Sequence, residues 1–236
     1  MKPALVFDLN ETLLDMSALD PAFRKIFDPK SASERRQQWF QQVLELFLTA
    51  TVVGEYRSFD KVTDDALRML MAKGGRDASD VHRATLKEAL GAIPPYADVR
   101  PGLTRLRDAG FTIATLTNST EKAARALIEH GGLTELFDRI LSADTIGCYK
   151  PAAEAYEYAA TELGVALADI QLVAAHSWDI AGAHAAGCRT AFIARAGKVM
   201  SPGAPKPDLQ ASDVTKLAEQ LAPEAPKRAA HPEVRA

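Results

Sequence analysis

The chain has 236 residues, 47% of them hydrophobic and 25% charged, with a net charge of -3 and a pI near 6.0. This is a globular composition, enough for one large domain or two unequal ones. It lacks the basic excess of a nucleic-acid binder and any run near the ~20 apolar residues of a membrane span. The two cysteines, Cys148 and Cys188, have no metal-ligand spacing and form no disulfide framework, so a reducing cytoplasm is expected.

Met1-Lys2-Pro3 leads straight into Leu5-Val6-Phe7, leaving no room for a signal peptide, and that run reads as a buried parallel strand. Asp8 follows at the strand's carboxyl end, where open α/β sheets bind ligands. From Asp15 to about Ala92 the pattern is helical. Asp20-Pro21 opens a first helix. Glu34 to Ala50 forms a second, with Trp39, Val43 and Phe47 on one stripe and Phe40, Leu44 and Leu48 beside it. So broad a stripe predicts two covered faces, one against a cap domain and one against a partner subunit. Ser58 to Lys73, ended by Gly74-Gly75, and Ser79 to Leu90 complete four helices, and Pro94-Pro95 marks the return.

Pro101-Gly102 opens another helix, ending at Ala109-Gly110. Strands at Phe111 to Leu116, Arg139 to Ser142, Ile170 to Ala175 and Thr190 to Ala194 then alternate with helices from Glu121, Ala152 and Ile180. The alternation predicts an α/β fold, a Rossmann-like doubly wound parallel sheet over residues 1-14 and 96-222, with an inserted helical cap over 15-95. The Pro-, Ala- and charge-rich stretch 223-236 reads as a disordered tail.

The chemistry sits at strand ends. Asp8, held by a rigid strand, is placed to attack an electrophilic carbon or phosphorus, or else caps the next helix from a solvated loop. Leu116-Thr117-Asn118-Ser119, Tyr149-Lys150-Pro151 and Trp178-Asp179-Ile180-Ala181-Gly182-Ala183 each follow an apolar strand and converge with Asp8 on one sheet edge. Lys150 would keep Asp8 ionised, or is a solvated surface lysine. Thr12, Thr117-Asn118 and Asp179 read equally as helix caps.

These stations together resemble the haloacid dehalogenase superfamily, whose signature is a strand ending in Asp, three residues, then Thr-Leu: here Asp8-Leu9-Asn10-Glu11-Thr12-Leu13. The resemblance covers roughly residues 1 to 220. It implies a covalent intermediate on Asp8, with Thr12 hydrogen-bonded to it. Phosphoryl-transferring members carry a second Asp two residues after the nucleophile and an acidic pair before the last helix; here Asn10 and Ala175 stand at those places. An amide cannot protonate a leaving alkoxide, and Lys150 would oppose a magnesium ion.

What remains is similar to the metal-free L-2-haloacid dehalogenase branch, for which Trp178-Asp179 is typical. The branch implies that Asp8 displaces halide from C2 of a short 2-haloacid and that water hydrolyses the aspartyl ester, with no cofactor and no metal. A cap arginine is the expected halide donor: Arg35, with Arg36 as the alternative, sharing the role with Asn118. Backbone N–H groups after Leu9, with Thr117, would hold the substrate carboxylate. Phe59 and Trp178 would wall the pocket or serve as plain core. Tyr156, six positions after the lysine, would orient Lys150 or simply pack helix against sheet.

The chain also departs from the branch. Ala174 and His176 stand where a serine and an asparagine are usual, and Asn10 replaces a bulky aromatic residue. His176 either activates the hydrolytic water, alone or with Asp179, or fills space as a neutral ring. The rival expectations are a magnesium-dependent phosphatase of the same fold and a catalytically silent binder of a small carboxylate. A homodimer through the cap helices is expected, with no nucleic-acid or membrane partner.

Overall fold

The computed structural model describes residues 2–222; the stretch 223–236, expected as a tail, lies outside the described residues. Six strands form one sheet: β1 (Ala4–Phe7), β2 (Ile113–Thr117), β3 (Arg139–Ser142), β4 (Ile170–Ala174), β5 (Arg189–Ile193) and β6 (Leu209–Ala211). All neighbours are parallel, in the order β3-β2-β1-β4-β5-β6. β1 is central, with Leu5 opposite Ile113 on one side and Gln171 on the other. The chain leaves β1 in both directions across the sheet, so the crevice at its carboxyl end is the switch point of the fold.

β1 is buried on both faces, and the pleat divides its side chains. Leu5 and Phe7 join a core that continues into the helical insertion through Phe23, Trp39, Val62 and Leu67. Val6 joins the opposite core, with Leu116, Leu172, Tyr156, Ile180 and Phe192. One apolar cluster therefore ties the insertion to the sheet and fixes the height of its helices above Asp8.

The insertion is α1 (Asp20–Ile26), α2 (Ala32–Val53), α3 (Phe59–Lys73) and α4 (Asp80–Leu90). Pro21 occupies the first turn of α1, Gly54 ends α2 in the left-handed region at φ 70°, and Ser79 with His82 forms a capping box on α4. After it come α5 (Val99–Asp108), α6 (Glu121–His130), α7 (Ala153–Leu163), α8 (Ser177–Ala185) and α9 (Val214–Leu221). Among the described residues, no helix is long and apolar enough to cross a membrane.

Four elements differ from the sequence expectation. α5 begins at Val99, so Pro101 lies within its first turn, where no N–H is needed. α8 begins at Ser177, which puts Trp178 and Asp179 in a helical first turn. β6 and α9 close the far edge and had no counterpart in the sequence reading; β6 is only three residues long.

The broad stripe of α2 is covered differently from expectation as well. Trp39 and Val43 are fully buried in the core, but Phe40 faces the sheet edge, its ring 6.2 Å from that of His176. Leu44 and Phe47 line a small cavity against Lys150. Much of the second stripe thus faces the site. Leu48, Val52 and Val53, farther along the helix, are exposed.

Candidate active site

Asp8 leaves β1 with its N–H donating to Val173 O at 3.0 Å, so neighbouring β4 fixes its backbone. The Thr12 hydroxyl donates to Asp8 Oδ2 at 2.7 Å and accepts from Ala175 N–H at 2.9 Å, fixing the carboxylate's rotation. Lys150 Nζ donates to Asp8 Oδ1 at 3.0 Å and to Asp179 Oδ2 at 2.5 Å. Tyr156 OH donates to Asp179 Oδ1 at 2.7 Å. Only 5% of Asp8 is exposed, 1% of Lys150 and none of Asp179.

One ammonium thus serves two buried carboxylates, and their environments separate them. Burial raises the Asp8 carboxyl, but Lys150, His176 and Thr12 outweigh it and hold the group well below the usual carboxylate range. Burial raises Asp179 too, and there Lys150's pull is opposed by the charge of Asp8, so that carboxyl stays above its ordinary value. Burial disfavours the Lys150 ammonium, but Asp179 and Asp8 together raise its pKa. Asp8 is the acid kept ionised, as a nucleophile must be.

α8 must approach closely for this. A Cβ on Gly182 would stand 2.7 Å from the Tyr156 hydroxyl and 2.5 Å from Pro151 Cβ, so only glycine lets Tyr156 reach Asp179.

Asn118 is held by the backbone of Lys150. Its Oδ1 accepts from Lys150 N–H at 2.9 Å and its Nδ2 donates to Lys150 O at 3.1 Å, clamping the backbone of the lysine. Thr117 Oγ1 accepts from Ser119 N–H at 3.1 Å, and Asn10 Nδ2 donates to Ser119 Oγ at 3.1 Å. Phe59 is stacked on Phe47 at 5.8 Å.

Neither arginine is brought to Asp8. Arg35 Nη1 donates to Gln38 Oε1 at 2.9 Å, and its guanidinium lies 5.9 Å from the ring of Phe27. Arg36 is buried, with Nε 2.5 Å from Asp20 Oδ1. The reason is helical phase. Phe40 is the α2 residue whose ring meets His176 beside Asp8; Arg36, one turn earlier, is held by Asp20, and Arg35 is rotated off that face.

Two spaces adjoin the site. A cleft of about 660 Å³ is lined by Phe59, Leu67, Lys61, Lys87 and Lys122 and touches Asn10 and Ser119, but Asp8 does not line it. A cavity of about 10 Å³, room for one water-sized sphere, lies among Leu44, Phe47, Leu48, Asn118, Lys150 and Trp178. Trp178 Nε1 is buried with no hydrogen-bond partner among the described residues.

The model of the haloacid dehalogenase-like hydrolases matches residues 2–187. The chain belongs to the haloacid dehalogenase-like hydrolase family. It is 31% identical to an (S)-2-haloacid dehalogenase of Pseudomonas sp. strain YL, over 91% of this chain and 92% of that protein. L-2-haloacid dehalogenase from Xanthobacter autotrophicus superposes with a TM-score of 0.87 at 26% identity, covering 94% of this chain and 98% of that one. A second structure of that enzyme, with chloropropionic acid covalently bound, superposes at 0.86 with 26% identity, covering 95% of this chain and 100% of that one.

Within this hydrolase family, a magnesium ion would need the oxygens that Lys150 already occupies. Its ammonium takes one oxygen from each of Asp8 and Asp179, and Ala175 and Asn10 supply no further carboxylate. The residues present do not fit a divalent cation at this place.

The hydrolase site also contains residues the sequence reading left out. Glu11 is the only non-glycine with positive φ among the described residues, at 60°. Its Oε2 lies 2.9 Å from His176 Nε2 and pairs with Lys198. Arg195 donates to Thr12 O from Nε at 3.0 Å and from Nη2 at 2.9 Å, and pins the same turn. A polar residue in a left-handed turn just after the nucleophile was the available signal, but its partners lie far along the chain.

Proposed function

We propose that this hydrolase is a metal-independent 2-haloacid dehalogenase that attacks C2 of a short 2-haloalkanoic acid with Asp8. The observation that carries the reading is the buried ammonium of Lys150, 3.0 Å from Asp8 Oδ1 and 2.5 Å from Asp179 Oδ2. It keeps a desolvated carboxylate charged in the place where a phosphatase of this fold would need a cation. Halide is a good leaving group and needs no general acid, which accords with an amide at Asn10. Attack breaks the carbon–halogen bond and forms an ester on Asp8; water then adds at Cγ, giving the 2-hydroxy acid and restoring the carboxylate.

Helices α1–α4 act as a cap that dries the nucleophile through Phe40, Leu44 and Phe47. The small cavity takes the departing halide, where Lys150 supplies charge and the unpartnered Trp178 Nε1–H a donor. That assignment replaces the cap arginine. Thr117 and the backbone after Leu9 take the substrate carboxylate. Asn118 acts through Lys150, whose backbone it clamps. Tyr156 holds Asp179 for the same ammonium.

The test is incubation with 2-chloropropionate in excess chelator. Free chloride at an undiminished rate is the expected result; phosphate release from a phosphomonoester that requires added magnesium would replace this reading. The exposed Leu48, Val52 and Val53 support a homodimer through the insertion, and a monomer mass in sedimentation at micromolar concentration would remove it. The unpaired thiols Cys148 and Cys188 suit a cytoplasmic site.

A further inference from the structure

Ester hydrolysis needs a base, and Asp179 is badly placed to be it. Its Oδ2 accepts from Lys150 and its Oδ1 from Tyr156, and none of it is exposed. On the opposite side of Asp8 stands His176. Its Nδ1 lies 3.3 Å from Asp8 Oδ2 and its Nε2 lies 2.9 Å from Glu11 Oε2. The Nδ1 contact is close enough for charge pairing but is not aligned as a hydrogen bond, and Nδ1 has no other partner among the described residues. Asp8 Cγ is one bond beyond Oδ2, so a water admitted beside the ring on ester formation would meet Nδ1 and Cγ together.

We infer that His176 is the general base of the hydrolytic half-reaction and that Glu11 is its positioning residue, fixing the ring through Nε2. The inference rests on the dehalogenase reading of the site. Before attack, carboxylates face both ring nitrogens, an arrangement that suits an imidazolium. Attack on the haloacid turns Asp8 into a neutral ester and releases halide. With its counter-charge gone, the ring gives its Nδ1 proton to solvent, so that halide and one proton depart. Neutral Nδ1 then accepts a proton from water as the hydroxyl adds to Cγ. The tetrahedral centre collapses, the 2-hydroxy acid leaves with the carboxyl proton, and Asp8 is again a carboxylate beside an imidazolium. Atoms and charge balance over the cycle.

The surroundings bias this switch consistently. From the turn after β1, Asp8 and Glu11 face the ring; Lys198 stands behind Glu11 and Lys150 behind Asp8. The rings of Phe40 from α2 and Trp178 from α8 lie at 6.2 Å and 5.3 Å and carry no charge. Burial disfavours the charged ring, yet Asp8 and Glu11 together hold its pKa above the ordinary histidine value in the free enzyme. Esterification removes one of those two carboxylates. Burial raises Glu11 itself, but His176 and Lys198 keep its carboxyl low and ionised.

The experiment is rapid mixing of full-length wild-type, H176N and E11Q enzyme with excess 2-chloropropionate, following chloride and the mass of the Asp8 peptide. H176N is expected to release about one chloride per site and then stall as the Asp8 ester, with turnover down about 10²–10⁴-fold. E11Q is expected to hydrolyse more slowly and to move the acid limb of the hydrolytic step to lower pH, because the ring loses a carboxylate that favours its charged form; a purely structural defect would leave the limb in place. H176N that hydrolyses at the wild-type rate, or that never forms the ester, overturns the assignment. So does D179N stalling as the ester while H176N does not. If H176N fails to fold, an unmoved limb in E11Q overturns it. Absence of chloride from the wild type strikes the underlying dehalogenase reading instead, and this inference falls with it.

Discussion

Asp8→Asn is expected to lower chloride release from 2-chloropropionate by at least about 10⁴-fold, the scale seen when a nucleophile is removed from an otherwise intact site. The amide matches the carboxylate in shape, so Thr12 and Val173 still have partners at the Asp8 position. What is lost is the charge that attacks carbon. A melting curve near that of the wild type, together with retained binding of the substrate carboxylate, is the expected companion result. A variant that keeps a tenth of wild-type turnover would mean that water attacks the haloacid directly. A wild type with no turnover to lose would favour the silent binder.

The second large effect is expected at Lys150. Lys150→Met leaves two buried carboxylates, Asp8 and Asp179, without the ammonium that lies 3.0 and 2.5 Å from them. Breaking a buried ion pair from one side costs about 3–5 kcal/mol, and a denaturant melt should lose stability on that scale. Catalysis should fall by about 10²–10³-fold, the cost of removing a preorganised charge from a dry site. The pH dependence should also change. In the wild type, Asp8 has a depressed carboxyl pKa, so its contribution to stability is present above the ordinary carboxylate range and lost as pH falls through the folded value. In Lys150→Met, burial is left opposed only by His176 and Thr12, so loss of stability and of activity should both begin at higher pH. Lys150→Arg should not restore function, since the position is only 1% exposed and a planar guanidinium needs more room.

The sheet was legible because its strands are buried on both faces. Leu5-Val6-Phe7 is a continuous apolar run ending at Asp8, and Ile170 to Ala174 is apolar but for the buried Gln171, with His176 two residues beyond it; the parallel order brings Asp8 and His176 to one edge. β6 was not, because Leu209-Gln210-Ala211 is too short to show a period. The residues around the nucleophile were readable wherever they sit on rigid elements close to a strand end, as Lys150 and Asp179 do. They were not readable where helical phase or backbone twist decides. On α2 the face toward Asp8 depends on how the helix is docked, and it presents Phe40 rather than Arg35 or Arg36. Glu11 acquires its place from a left-handed turn and from Lys198, a partner 187 residues away. Asn118 carried an amide suited to a halide, but its two hydrogen bonds to the Lys150 backbone depend on two loops meeting.

In this chemistry an oxygen of Asp8 bonds to carbon. A single turnover in heavy-oxygen water, with enzyme in excess over 2-chloropropionate, tests it at the atom concerned. Heavy oxygen in the Asp8 peptide and ordinary oxygen in the product is the result expected of ester formation and hydrolysis at Cγ. Heavy oxygen in the product alone would contradict it, because water would then have reached C2 without the aspartate.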